Sequence, residues 1–279
     1  MSNSANRALL LLFFLVSFST QAAAYNSVVA FGDSLTDNGN LGRFTNNALW
    51  VETLAASLSL DLYDFAYSGA TTDDFNIAPG YPDKGLQWQL NHYYTTLMSH
   101  SVSLNDALFT VWAGANDLEI NRFYETAAHN IGTALESLYN DGARNFLVLN
   151  LPDIGVTPRF IDQMTIPPLP APQMTSSQAT QWTIGFNDAL ANVVTTFETP
   201  HTDINLYRLN VRKAFNDFSA GTPEWAELFW IDGFHPSSKG HQLIAHTALT
   251  QLGLVPAPTS IVLIASSMIV IARFRRKQA

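Results

Sequence analysis

Residues 31–40 read Phe31-Gly32-Asp33-Ser34-Leu35-Thr36-Asp37-Asn38-Gly39-Asn40 and follow the short run Ser27-Val28-Val29-Ala30. An apolar run rich in β-branched residues that ends in a polar, glycine-bearing turn is the pattern of a buried strand reaching the edge of its sheet. Ser34 then stands at the mouth of the sheet. Gly32 is read as the residue that lets the chain turn tightly, and Asn38-Gly39 as positions tolerant of positive φ. A serine hydroxyl is unreactive near neutral pH, so this stretch acquires meaning only if a base and an oxyanion site occur downstream.

Both occur. Asp232-Gly233-Phe234-His235-Pro236-Ser237 offers an imidazole with a carboxylate three residues earlier, close enough within one turn to hold one ring N–H while the other nitrogen faces a hydroxyl. Pro236 restricts His235 to extended backbone, and Ser237 or Ser238 can cap a following helix. Phe65-Ala66-Tyr67-Ser68-Gly69-Ala70-Thr71 and Gly114-Ala115-Asn116-Asp117 are two further glycine-bearing stretches that follow apolar runs. Taken singly, Gly69 reads as a turn glycine and Asn116 or Asp117 as a helix N-cap.

Taken together and in this order, these blocks resemble the GDSL esterase/lipase family of SGNH hydrolases. Asn150-Leu151-Pro152-Asp153-Ile154-Gly155-Val156-Thr157-Pro158 is similar to a further segment of its larger members, so the resemblance runs from residue 27 to about 250. Asp64 and Ser68 stand where that family carries Asn and Gly. The resemblance implies an α/β fold: a three-layer α/β/α sandwich with a five-stranded parallel, flavodoxin-like sheet. It further implies Ser34 as nucleophile, Asp232 and His235 as its partners, and an oxyanion hole made of the N–H of Ser34, the N–H of Gly69 and the amide of Asn116. No cofactor and no metal are implied.

The rest of the chain reads consistently with this. Helices are expected over 46–58, 85–98, 176–197, 211–215 and 238–252, with another carrying Ala128, Ile131, Leu135 and Leu138 on one face and stopping at Asn140-Asp141-Gly142. Strands are expected at 62–66, 107–112, 145–151 and 204–207. This alternation favours a parallel sheet covered on both faces, with ligands at the carboxyl ends of its strands. Pro152 to Pro172 is proline-rich and aperiodic, and is read as a long surface loop, either a roof over the site or a stiff connector.

At 279 residues and 47% hydrophobic content the chain can bury one substantial core, expected over 25–254. The formal charge of −9 understates the acidity of that body, because Arg7, Arg273, Arg275, Arg276 and Lys277 lie in the terminal segments. Such a surface is a poor partner for nucleic acid. The absence of cysteine excludes disulfides and thiolate chemistry. His92, His100, His129, His201, His241 and His246 form no metal-ligand spacing and read as surface or satisfied helix positions. Leu35 occupies a position where a calcium loop needs an oxygen. Trp88, Tyr93, Tyr94, Trp112, Phe123 and Trp182 read as core rather than acyl-chain pocket. No Gly-x-Ser-x-Gly elbow is present, which disfavours the ordinary α/β-hydrolase fold.

Residues 1–24 read as a signal peptide, with Arg7, an apolar run and Ala22-Ala23-Ala24 as a cleavage site. At 255–279, Val255-Pro256-Ala257-Pro258-Thr259-Ser260, an apolar stretch and a basic end resemble a PEP-CTERM sorting signal, with Ala257 in place of its glutamate. The expectation is an exported domain held transiently at the inner membrane and released by a sorting protease. The expected activity is hydrolysis of lipid, lysophospholipid or short acyl esters. The alternatives are a polysaccharide O-acetylesterase, an acyltransferase, or a non-enzymatic surface binding module.

Overall fold

The structure, a computed structural model, describes residues 25–165 and 171–254. The leader read at 1–24, the tail read at 255–279 and the densest prolines at 167–170 lie outside the described residues.

Five parallel strands form one sheet in the order β2-β1-β3-β4-β5: β1 (Ser27–Gly32), β2 (Asp61–Asp64), β3 (Leu108–Trp112), β4 (Asn145–Leu149) and β5 (Asn205–Leu209). The register sets Val29 opposite Tyr63 and Phe109, Thr110 opposite Leu147, and Leu147 opposite Tyr207. Every residue of β1, β3 and β4 is buried, as expected of central strands covered on both faces, whereas β2 and β5 at the edges are partly exposed. This is the doubly wound order whose switch point falls between β1 and β3.

One face is covered by α1 (Trp50–Leu58) packed on α9 (Ser238–Gln251), with α7 (Val211–Asn216) beside it. Trp50 meets Trp112 edge-on there, with centroids 5.9 Å apart. The other face carries α2 (Leu86–Ser99), α4 (Tyr124–Asp141) and α6 (Ser176–Glu198). Beneath these helices Phe31, Phe109, Phe146 and Phe197 form a continuous aromatic row with spacings of 5.5–6.5 Å. The row explains why three central strands each place a phenylalanine toward the same face.

Element boundaries shift where polar side chains intervene. The helix expected from Asn46 begins at Trp50: Glu52 reaches back to the Leu49 N–H at 2.8 Å, and Asn46 accepts from the Ser238 N–H at 2.7 Å. That bond joins the two helix N-termini instead of extending one of them. The segment from Pro152 is not a plain surface loop. It contains a 3-10 turn at Ile154–Val156 and a short helix α5 (Pro158–Ile161) whose Arg159 and Phe160 are buried. A further short helix, α3 (Ala115–Glu119), follows β3, and α8 (Pro223–Ala226) precedes the C-terminal loop. Tyr93, Trp112 and Trp182 are buried as expected, but Trp88 is only half-buried and Tyr94 and Phe123 are exposed, so those three are not core.

Candidate active site

The turn after β1 is held by Asp33, whose carbonyl accepts the N–H groups of Thr36 and Asp37 and whose Oδ1 accepts that of Leu35 at 3.0 Å. Gly32 is the last residue of the strand rather than part of the turn. Its φ is 154°, and a Cβ there would lie 2.2 Å from the Trp112 carbonyl oxygen, so glycine is required by close strand approach. Gln89 from α2 completes the strand end, accepting from Gly32 N at 3.0 Å and donating to Gly32 O at 2.8 Å. Of the Asn38-Gly39 pair, only Gly39 takes positive φ.

This frame brings Ser34 to His235, 201 positions away: Ser34 Oγ lies 2.7 Å from His235 Nε2. On the other side of the ring, Nδ1 lies 2.6 Å from Asp232 Oδ2. Asp232 is itself fixed, because its Oδ1 accepts the N–H groups of Phe234 and His235 at 2.9 and 3.0 Å. Burial acts to raise this carboxyl, but the imidazole and the two N–H groups outweigh it and hold Asp232 below the ordinary carboxylate range. Ser237 caps α9, accepting from Gly240 N, and so anchors the loop that carries His235. Phe44, which the sequence did not single out, stacks on the His235 ring at 4.8 Å and 28°.

The proposed oxyanion donors converge on the same edge. Gly69 has φ 85°, and a Cβ there would meet Asn76 Oδ1 at 2.5 Å, so no other residue fits this turn. Among the described residues, the N–H groups of Ser34 and Gly69 have no acceptor. Asn116 lies on α3, where Gly114 rather than Asn116 is the N-cap. Its amide donates one N–H to the Ala70 carbonyl at 2.9 Å, which ties it to the Gly69 turn and leaves the second N–H. The fully buried Asp117 reinforces the tie by accepting from Thr72 N and Oγ1 at 3.0 and 2.8 Å and from Arg122 at 2.9 Å. Burial pushes Asp117 up to about 6 despite these bonds.

The histidines outside the site separate. His241 is a fully buried position of α9: its Nδ1 accepts from Trp50 N at 3.2 Å, and burial lowers its pKa to about 3. Among the described residues no cluster of His, Cys, Asp or Glu is arranged to hold a metal ion.

A carboxylate, an imidazole and a hydroxyl joined by hydrogen bonds can perform acyl transfer through a covalent intermediate. The profile of the GDSL-like lipase/acylhydrolase family matches residues 28–248. The thermolabile hemolysin of Vibrio parahaemolyticus serotype O3:K6 (strain RIMD 2210633) is 28% identical, over 80% of this chain and 63% of its own length. The phosphatidylcholine-sterol acyltransferase of Aeromonas hydrophila is 29% identical, over 54% of this chain and 53% of its own. The chain therefore spans only part of the length of these relatives. A member of the lipolytic G-D-S-L family from Veillonella parvula DSM 2008 has the same fold, with a TM-score of 0.53 at 14% identity over 82% of this chain and 99% of that one.

Proposed function

Since the chain belongs to the GDSL-like lipase/acylhydrolase family, we propose that it is a serine esterase that hydrolyses carboxylic esters, with lipid, lysophospholipid or short acyl esters as substrates. The observation that carries this reading is the line Ser34 Oγ, His235 Nε2, His235 Nδ1, Asp232 Oδ2, with contacts of 2.7 and 2.6 Å.

In this mechanism Ser34 attacks the ester carbonyl as His235 takes its proton, and Asp232 holds the imidazole in the tautomer that can accept it. The oxyanion of the tetrahedral intermediate is received by the N–H of Ser34, the N–H of Gly69 and the remaining amide N–H of Asn116. His235 returns the proton to the departing alcohol, and water then resolves the acyl-enzyme by the same route. A cavity of about 620 Å³ lies beside α3, where Leu118 and Phe160 share the lining with Glu119, Asn121, Gln178 and Gln181. Hydrolysis rates across acetyl to palmitoyl p-nitrophenyl esters and lysophosphatidylcholine test the reading. Turnover of any of these esters supports it, its dependence on chain length names the preferred class, and no turnover of any ester contradicts it.

The similarity to a phosphatidylcholine-sterol acyltransferase favours one second reading, in which an alcohol rather than water resolves the acyl-enzyme. Product analysis with an added sterol separates the two.

The leader at 1–24 and the tail at 255–279 support export of a single 25–254 domain, with transient inner-membrane anchoring and release by a sorting protease. Among the described residues no helix is long and apolar enough to cross a membrane. Mass spectrometry of the protein from its native host tests this: termini near Tyr25 and Pro258 are expected, and an intact Ala279 contradicts release.

A further inference from the structure

The helix that carries Asn116 is too short to hold itself. α3 runs only from Ala115 to Glu119, and a helix of little more than one turn has no stability of its own in water. Its last residue, Glu119, is gripped by Arg159 of α5. Arg159 Nε donates to Oε1 at 2.8 Å and Nη2 to Oε2 at 3.0 Å, the forked geometry of a guanidinium on a carboxylate. The Arg159 side chain is 0% exposed and that of Glu119 9%.

The same arginine reaches the other half of the site. Its main-chain N–H donates to the Gly233 carbonyl at 3.0 Å, between Asp232 and His235 in sequence. Its guanidinium lies 6.0 Å from the centre of the Phe234 ring, and Nη1 donates to the Met164 carbonyl at 2.7 Å. The Asp232–His235 loop sits so closely on α5 that a Cβ on Gly233 would lie 2.8 Å from Pro158 Cβ and 3.2 Å from Arg159 N. One residue therefore bonds both to the element presenting Asn116 and to the loop presenting His235.

A buried ion pair is a poor source of net stability, because desolvation offsets the attraction, so its presence here calls for another reason. We propose that Arg159 and Glu119 are positioning residues that set the Asn116 amide against the His235 imidazole across the reacting carbonyl. An oxyanion donor works only within hydrogen-bond reach of the developing charge, and a displacement of about 1 Å costs on the order of 100-fold in rate. Lysine keeps the charge of Arg159 but cannot fork onto both carboxylate oxygens.

The inference rests on the esterase reading, and the experiment keeps the two apart. If the wild-type protein turns over no ester, that reading fails first. With an active wild type, kcat and KM are measured for Arg159→Lys and Glu119→Gln, alone and combined with Asn116→Ala, with circular dichroism as the check on folding. The expected result is a kcat lower by about 10- to 100-fold with little change in KM, and a much smaller further loss once Asn116 is already alanine. Wild-type kcat in the folded single variants, or the same fold-loss in both backgrounds, would overturn the proposal. Should Arg159→Lys not fold, the cycle is read on Glu119→Gln, which keeps the side chain's shape. Failure of both to fold would make the pair a folding determinant and overturn its positioning role.

Discussion

Ser68 donates its main-chain N–H and directs its hydroxyl to the same oxygen of Asp37, Oδ2, at 2.7 and 2.8 Å. Asp37 also collects the N–H groups of Gly39, Asn40, Leu41 and Gly42 at 2.6–3.3 Å, so one buried carboxylate closes the loop that leads to Phe44 and pins the residue before Gly69. An amide cannot accept at both positions, so Asp37→Asn is expected to lose about 3 kcal/mol of stability in urea unfolding. Ser68→Gly, which removes one hydroxyl and keeps the N–H, is expected to lose about 1 kcal/mol. Equal losses would mean that Asp37 is not the hub of this loop.

Asn116→Ala is expected to lower kcat by about 10² to 10³ with KM nearly unchanged, the usual cost of one oxyanion donor. Because the Asn116 amide also holds the Ala70 carbonyl, the variant's thermal midpoint should be recorded alongside the kinetics. A rise in KM alone would assign Asn116 to binding or to the turn.

Asp64 predicts a pH dependence. Burial raises its carboxyl, the N–H groups of Ala66 and Asn38 oppose this, and the result is about 8. Between about pH 4 and about pH 8 the folded protein therefore holds a proton that the unfolded chain has released, and stability falls as pH rises through that window and levels off above it. Asp33, pushed up to about 7 chiefly by burial, acts with the same sign. Asp64→Asn, the residue that the family resemblance expects at this position, should flatten the decline. Thermal midpoints at about pH 5 and about pH 8.5 measure it, and an unchanged slope in the variant would show that Asp64 is not its source.

How far the sequence could be read follows from the range of the interactions involved. β1, β3 and β4 were legible because burial on both faces leaves uninterrupted apolar runs. Ser34, Gly69, Asn116, Asp232 and His235 could be singled out because each sits in a short local motif, and the structure brings Ser34, His235 and Asp232 into hydrogen-bond contact. α3 and α5 were not legible, since four or five residues make little more than one turn and cannot repeat an apolar face. Phe44 against His235 and Arg159 against Glu119 are contacts between segments far apart in sequence, with no local pattern to betray them. A charged residue in a proline-rich stretch reads as solvated surface until its partner, 40 residues earlier, is in place beside it. The partner of His241, the N–H that opens α1, is likewise distant in sequence.

In the proposed mechanism Ser34 is the residue acylated during turnover. Treatment with an organophosphonate ester, followed by peptide mass spectrometry, tests it most directly. One adduct per chain is expected on the peptide containing Ser34, with loss of ester turnover in step with labelling, and neither adduct nor turnover in a folded Ser34→Ala variant. An adduct on another residue that abolishes turnover, or wild-type turnover by Ser34→Ala, would contradict it.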